Sequence, residues 1–529
     1  MRNVSGVIHF LNIPEAFPCD SIFLGRVSNK LRIKYMRMLL SLLLMFSSCF
    51  CWAGERNKTM TIIHTNDTHC RVSEDKNAIG FARIKTLVDT IKTINRNVLV
   101  VDGGDFIQGK LICSMDKGDT IVNIMNEVGY DAAVIGNHEF IYGQSRLQTL
   151  MKKLNYPLLA ANVKYDNGQD FTRNFIIKDI DGIKVGIFGV STQTITARPE
   201  NIAGVKLLDP VAIAKEMVQS LQAEKVDVII ALSHLGLNKA DRNHSQKLAE
   251  EVAGIDVIID GHSHTALEKG QVVNDVLIAQ TGHRTHNLGI VNLEFVDGKL
   301  NHKQAALINH QLASLVKKDQ SIDKIVQQAN ARIDTAYSEV IGNASEKLNG
   351  DRYDVRSRET NLGNMLSDMI REKAGTDTAI IFAPLISASM GPGEITKKDL
   401  VNILTEDFDI VKVEIKGADL LTLLEAGLKT YFQQVSGIRF SYDSTRPLNK
   451  RIVGDVLINE NVIDKNKNYT LALVDWHYEE SKHADSLYHI IQQARYIESV
   501  GSMNALFENY VRQHSPLRYH EDGRVTKLR

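Results

Sequence analysis

A chain of 529 residues and 59.1 kDa outgrows a single hydrophobic core, so the expectation is two domains behind an export leader. Hydrophobic residues at 43% and charged residues at 24% are ordinary for a globular protein. A formal net charge of -1 without a long basic run argues against a counterion-releasing nucleic-acid surface, and an anionic ligand must be held by a local site.

The leader comes first. Lys30, Arg32, Lys34 and Arg37 precede the apolar run MLLSLLLMFSSCFCW, which ends at Ala53 before Gly54-Glu55-Arg56-Asn57. Basic, apolar, then small is the order of a secretory signal, and the run falls short of the roughly 20 residues that span a bilayer. Cleavage after Ala53 is the preferred reading, with residues 1–53 as leader and Met36 as an alternative start. A lipoprotein cut before Cys49, on Phe46-Ser47-Ser48-Cys49, is the second reading. Either way the protein is expected in the periplasm or at the cell surface, with no stable transmembrane span. Cys19, Cys49 and Cys51 lie in or before the leader, which leaves Cys70 and Cys113 as two free thiols or one disulfide.

From Met60 to about Phe295, short apolar runs alternate with helical periodicity. The runs are MTIIHTND, NVLVVDGGD, DAAVIGNHE, KVGIFGVST, VDVIIALSHLG and IDVIIDGHSH. Each is rich in Val and Ile and stops in polar residues or glycine, as strands buried on both faces do. Helices are predicted at Gly80–Ile94, Thr120–Val128, Gln144–Leu154, Pro210–Glu224 and Arg242–Val252. An α/β domain over 59–310 follows, with helices packed on a central sheet. Ile322, Ile325, Val326, Ala329, Ile333, Ala336, Tyr337 and Val340 recur at three- and four-residue steps, predicting a linking helix over 319–341. A second α/β region occupies 342–529, with a helix near Asn361–Lys373, a strand at Thr378–Phe382 and a strand then helix over Ile410–Gly427.

The chemistry sits where the apolar strands stop. The first ends in Asp67-Thr68-His69, the second in Gly103-Gly104-Asp105 and the third in Gly136-Asn137-His138-Glu139. Later ones end in Ser233-His234 and Gly261-His262-Ser263-His264. Ligands collect at the carboxyl ends of strands in open α/β sheets. Any one of these residues alone reads as a turn or a packed core histidine; five segments in strand-end register read as a metal site. An Asp has two oxygens and can bridge two divalent ions, while imidazoles and a neutral amide complete the shells without adding charge. Two ions and two carboxylates leave about +2, enough to hold a phosphate and an ionised nucleophile. Mixed nitrogen and oxygen donors suit zinc, manganese, iron or cobalt better than calcium.

The strings DTH, GGDF, GNHE, SHLG and GHSH, in this order, resemble the calcineurin-type metallophosphoesterases. The IIHTNDTH opening and the domain that follows resemble the 5′-nucleotidase branch, which includes periplasmic nucleotidases with UDP-sugar hydrolase activity. The resemblance implies a four-layer metallophosphoesterase domain followed by an α/β 5′-nucleotidase substrate domain. It implies Asp67, His69, Asp105 and His264 on one ion, and Asp105, Asn137, His234 and His262 on the other, with Asp105 bridging. A water between the ions would attack phosphorus in line with the leaving oxygen, and His138 would stabilise the developing charge. The implied activity is phosphate release from a nucleotide. A phosphodiesterase acting on 2′,3′-cyclic nucleotides, a UDP-sugar hydrolase and a catalytically weak surface binding protein are the rival readings. Nothing in the sequence sets an oligomeric state.

Two departures from the family pattern stand out. The family's GNHEFD reads GNHEFIYG here, placing Ile141 where a carboxylate orients the catalytic imidazole. Without that partner His138 should be a weaker positive group near neutral pH, with lower turnover and an acid-shifted optimum. In the second domain, a stretch like RFRE-NLGN survives as Arg356 to Asn364, making Arg356 and Asn361 candidate substrate contacts. The NGGGIR stretch reads Phe382-Ala383-Pro384-Leu385-Ile386-Ser387, with Ser387 at the arginine position. Phe432 is the remaining stacking candidate, and the GGDGY loop has no counterpart; the nearest region is Asp475-Trp476-His477-Tyr478-Glu479-Glu480. An ion pair with Glu359 is the structural alternative for Arg356, and a core position that for Phe432. His64 reads as a packed core residue, Cys70 as a buried small residue, and His283 and His286 as either groups behind the ligands or a solvated loop.

Overall fold

Val- and Ile-rich runs become strands because both faces of each are covered, and each nonpolar side chain fully buried contributes roughly 1.5–3 kcal/mol. The computed structural model describes residues 57–529 apart from 195, 196, 198, 240, 406, 430, 431 and 476–488. The expected leader, its three cysteines and Trp476 to Glu480 lie outside the described residues. The chain divides into two units between Asn330 and Ala331.

In the first unit, β1 (Asn57–Thr65), β2 (Val98–Asp102), β3 (Ala132–Val134) and β4 (Leu158–Leu159) run parallel. Then β5 (Val163–Tyr165) leads to the antiparallel hairpin of β6 (Phe175–Ile180) and β7 (Ile183–Ser191), and β8 (Val205–Leu207) pairs back on β5. With β9 (Val228–His234), β10 (Val257–Ile259), β11 (Gln271–Val273) and β12 (Val276–Ala279), a six-stranded sheet forms in the order β11-β12-β10-β9-β7-β6. The chain returns through β13 (Asn287–Val296) and β14 (Lys299–Asn309) to complete the other, β14-β13-β1-β2-β3-β4.

The strands therefore divide between two facing sheets rather than one central sheet. Alternation along each strand explains the layering. Met60, Ile62 and Val101 of one sheet meet Ile187, Ile230 and Ile259 of the other in a shared core. The intervening residues Ile229, Ala231 and Ile258 pack instead against helices Pro210–Ala223 and Ser245–Glu251. Helices Phe81–Ile94 and Asp119–Val128 cover the first sheet, giving four layers. Pro210–Ala223 begins where it does because Asp209 accepts from Val211 and Ala212 N–H while Pro210 occupies the first turn.

The linking helix runs Gln320–Tyr337, shorter than 319–341 at both ends, because Val340 already belongs to β15 (Val340–Ala344) and is 49% exposed. Ile322, Val326, Ala329 and Ile333 are its buried stripe. In the second unit, helix Asn361–Ala374 is capped by the Thr360 hydroxyl and stopped by Gly375 in the left-handed region. It packs on strands that include β16 (Thr378–Phe382) and, after β17 (Gly393–Thr396) and β18 (Asp409–Lys416), β19 (Gln433–Ser436). Among the described residues no helix is long and apolar enough to cross a membrane.

Candidate metal centre

Five strand ends converge on one rim of the first unit. β1 leads into Asp67 and His69, β2 into Asp105, and β3 into Asn137 and His138; β9 ends on His234 and β10 leads into His262 and His264. Parallel register makes them level: Thr65 pairs with Asp102, Asp102 with Ala133, and Ser191 with His234. The rim needs unusual backbone. Asp67, His69, Asp105, His262 and His264 all have φ between 44° and 74°. That left-handed region costs a non-glycine residue about 1–2 kcal/mol and persists only where the surroundings over-determine it. Gly136 is required for a related reason, since a Cβ there would overlap Asp105 Oδ1.

The side chains form three overlapping triads, Asp67–His69–His264, His69–Asp105–His138 and Asp67–Asp105–His234, with donor atoms within 4.8 Å of one another. His69 Nε2 lies 3.1 Å from His264 Nε2, and His264 Nε2 lies 3.4 Å from Asp67 Oδ1. His234 Nε2 lies 3.1 Å from Asp105 Oδ2 and 3.9 Å from Asp67 Oδ1. His262 Nδ1 is 2.9 Å from Asn137 Oδ1. His234 Nδ1–H donates to the Gly103 carbonyl at 2.6 Å, which turns Nε2 toward the carboxylates. That Nε2 is buried without a well-aligned hydrogen-bond partner, a position a divalent cation suits. Burial, followed by His138, holds His69 down to about 3, and burial followed by His234 holds His262 down to about 4; both are neutral donors at pH 7. Burial opposes ionisation of Asp105, yet His234 and His138 hold its carboxyl well below the usual carboxylate range. Burial opposes the charged form of His234, yet Asp105 and Asp67 in turn hold its imidazole well above its usual value. Imidazole nitrogens beside carboxylate oxygens are a donor set that divalent transition metals take.

Residues 60–266 match the calcineurin-like phosphoesterase family, and residues 340–484 match the 5′-nucleotidase C-terminal domain. The chain is a calcineurin-like phosphoesterase with a 5′-nucleotidase C-terminal domain. It is 28% identical to Protein UshA of Yersinia enterocolitica over 92% of this chain and 98% of that protein. It is also 28% identical to the trifunctional nucleotide phosphoesterase protein YfkN of Bacillus subtilis over 72% of this chain, but spans only 29% of that longer protein. The crystal structure of the 5′-nucleotidase precursor from Thermus thermophilus superposes with a TM-score of 0.71 at 26% identity, covering 89% of this chain and 99% of that one.

Within this phosphoesterase, His138 Nε2 lies 3.9 Å from Asp105 Oδ2, while its Nδ1 is buried without a hydrogen-bond partner. Ile141 closes the turn His138–Phe140, so the position three residues on offers the imidazole no carboxylate. Ile141→Asp is therefore expected to raise kcat/KM about tenfold and to carry activity to higher pH, because a carboxylate stabilises the imidazolium. A pH–rate profile unchanged by the substitution would count against this role.

Two contributors, Glu139 and Asn66, had no legible sequence signal for the part they play. Glu139 is 1% exposed and its carboxylate accepts from the N–H groups of Asp105 at 2.9 Å, Phe106 at 2.8 Å, Ile107 at 3.3 Å and Gly136 at 2.6 Å. Burial and the Asp105 charge push it up to about 7, against the amides that favour the anion. Asn66 Nδ2 donates to Asp67 Oδ2 at 2.7 Å, and its Oδ1 accepts from Thr281 N at 2.8 Å. His283 stacks on His264 with centroids 4.7 Å apart and 12° between planes, and His286 lies 4.6 Å beyond it. The pair thus backs a candidate ligand. His64 is a buried core residue beside Gly289, and burial holds it down to about 3. Cys70 and Cys113 are joined as a disulfide with Cα atoms 6.1 Å apart.

The candidate substrate contacts lie in the second unit. Arg356 is exposed at the end of helix Arg352–Val355. Glu359 is spoken for elsewhere, accepting from Asn364 Nδ2 at 2.7 Å and Asp522 N at 2.8 Å. Asn361 accepts from Asn349 N at 2.7 Å and donates to the Lys347 carbonyl at 3.0 Å, a brace for that loop. Phe432 is 5% exposed within the hydrophobic core, so its ring is packed rather than presented. Ser387 is exposed.

Proposed function

We propose that the chain is an exported 5′-nucleotidase that releases phosphate from a nucleotide with the help of two divalent ions. The observation that carries this reading is the convergence of Asp67, Asp105, His69, His234 and His264 donor atoms on one rim, buried except at His264. Asp67, His69, Asp105 and His264 would hold one ion and Asp105, Asn137, His234 and His262 the other, zinc, manganese, iron and cobalt all suiting the donors. When bound, such a pair supplies Lewis acidity and lowers the pKa of a water. Asp105 keeps its carboxylate ionised at the shared position, and Glu139 holds the turn that presents it. His138 stands beside Asp105 to meet negative charge developing on the transferring group. Arg356, exposed on the second unit, supports a role in anion recognition, and Asn361 shapes the loop before it.

Protein from Gly54 onward, loaded with manganese or zinc, should be assayed for phosphate release from nucleoside monophosphates, a UDP-sugar, a 2′,3′-cyclic nucleotide and an aryl phosphate. Fast release from a monophosphate is expected. Turnover of a diester or UDP-sugar alone would retain the metal chemistry and reassign the substrate to the pocket altered at Ser387. No metal-dependent turnover on any ester would favour a binding protein.

A further inference from the structure

We propose that the Cys70–Cys113 disulfide is a positioning element for the ion that Asp67, His69 and His264 would hold, so that this half of the centre reaches full affinity only in the oxidised chain. The inference rests on the metal assignment above. Cys70 directly follows His69, and both cysteines are buried, at 1% and 0% exposure. The loop they anchor is strained, with φ of 48° at Asp67, 44° at His69 and 52° at Cys70. Such backbone relaxes unless something holds it.

Arg284 N–H donates to the Asp67 carbonyl at 2.7 Å and His262 N–H to its carboxylate, but from His69 to Cys70 the backbone leans on one neighbouring segment. Asp67 N–H donates to the Gly104 carbonyl at 2.8 Å, His69 N–H to Asp105 at 3.0 Å and Cys70 N–H to Phe106 at 3.2 Å. His69 Nδ1 then lies 3.1 Å from the Gln108 carbonyl, which sets the ring direction and leaves Nε2 for a cation. The segment runs straight on into the six-residue helix Leu111–Asp116, which carries Cys113. The disulfide fastens the two strands of this arrangement just past the last hydrogen bond. Glu139 anchors the segment as far as the Ile107 N–H, and beyond it the disulfide is the covalent tie between the His69 loop and the short helix that follows Gln108. The other half of the centre does not depend on this loop in the same way. His234 is fixed by the Gly103 carbonyl, and Leu235 and Gly236 N–H donate to Asp260 Oδ1 at 3.3 and 3.1 Å.

The bond forms by thiol–disulfide exchange with a disulfide-bearing oxidant of an oxidising compartment. One cysteine thiolate attacks the oxidant's disulfide, releasing one oxidant thiol, and the other then attacks the protein sulfur of the mixed disulfide and expels the second oxidant thiol. Two protein thiols become one disulfide while the oxidant's disulfide becomes two thiols, so atoms and electrons balance.

Manganese is the probe, because it prefers oxygen and nitrogen to thiolate sulfur. Bound ions are counted from the loss of the free-ion electron paramagnetic resonance signal, with wild-type protein oxidised, phosphine-reduced and reoxidised, alongside Cys113→Ser. The oxidised chain should bind two ions. The reduced chain and Cys113→Ser should hold one as before and the second at least tenfold more weakly, and reoxidation of the same wild-type sample should restore it. Reversal on one sample separates the effect from misfolding of the variant. Unchanged affinity for both ions on reduction would overturn the proposal, as would equal weakening of both. Fewer than two ions in the oxidised chain would instead refute the metal assignment beneath it.

Discussion

Asp105→Asn is expected to lower phosphate release on the order of 10³-fold or more while leaving the fold intact. The carboxylate is 2% exposed, touches two of the three donor triads and faces His234 Nε2 at 3.1 Å. An amide keeps the shape but supplies one neutral oxygen, so the shared position loses a charge and an acceptor together. Metal-ion catalysis contributes several kcal/mol of transition-state stabilisation, and at 1.36 kcal/mol per tenfold that is on the order of 10³ in rate. Steady-state kinetics with a metal count on the same sample checks it. A variant that retains two ions and more than about a tenth of the activity would remove Asp105 from the shared position.

Glu139→Ala should destabilise the first unit by about 4 kcal/mol, with Glu139→Gln losing about half as much, because each buried donor left unpaired costs about 1–3 kcal/mol. Alanine strands the N–H groups of Asp105, Phe106, Ile107 and Gly136 together. Glutamine still accepts with one oxygen but turns an amine toward the remaining donors. At about 2–4 °C per kcal/mol, the alanine variant should melt roughly 10 °C lower. Melting metal-free protein isolates this scaffold effect from loss of ions. Equal melting temperatures for wild type and Glu139→Ala would show that water replaces the carboxylate.

The parallel strands were legible because burial on both faces writes itself as unbroken Val and Ile, and the ligand residues because polar groups stop those runs abruptly. Helix Asn361–Ala374 and strand Thr378–Phe382 were legible for similar reasons. Strands β6, β13 and β14 were not: they are antiparallel, and β14 alternates irregularly between exposed and covered residues. Nothing local announces that the sheet is two sheets, since that depends on which face each strand turns to a partner far away in the chain. The left-handed ligand positions were equally hidden, because Asp and His rarely adopt them without tertiary contacts. Glu139 carried a motif letter but no hint that it gathers backbone amides from the Asp105 turn. Cysteine counting left the Cys70–Cys113 pairing open, and only the apposition of β1's loop with the helix after β2 decides it. Phe432 looked like a surviving aromatic and lies in the core, because a lone aromatic carries no sign of which side it faces.

The rim draws three ligand-bearing loops from one sheet and two from the other. Elsewhere the sheets meet mainly through aliphatic packing, which is non-directional and tolerates sliding, with a few surface lysine contacts such as Lys178–Asp131 at the margins. Ions seated between the loops would join the sheets at one edge by directional bonds. Binding energy there would count toward folding, by linkage. The rim of the sandwich should therefore exchange its amide hydrogens faster when a chelator is present, while the opposite edge, where Lys58 Nζ donates to the Asp181 carbonyl, should hardly change.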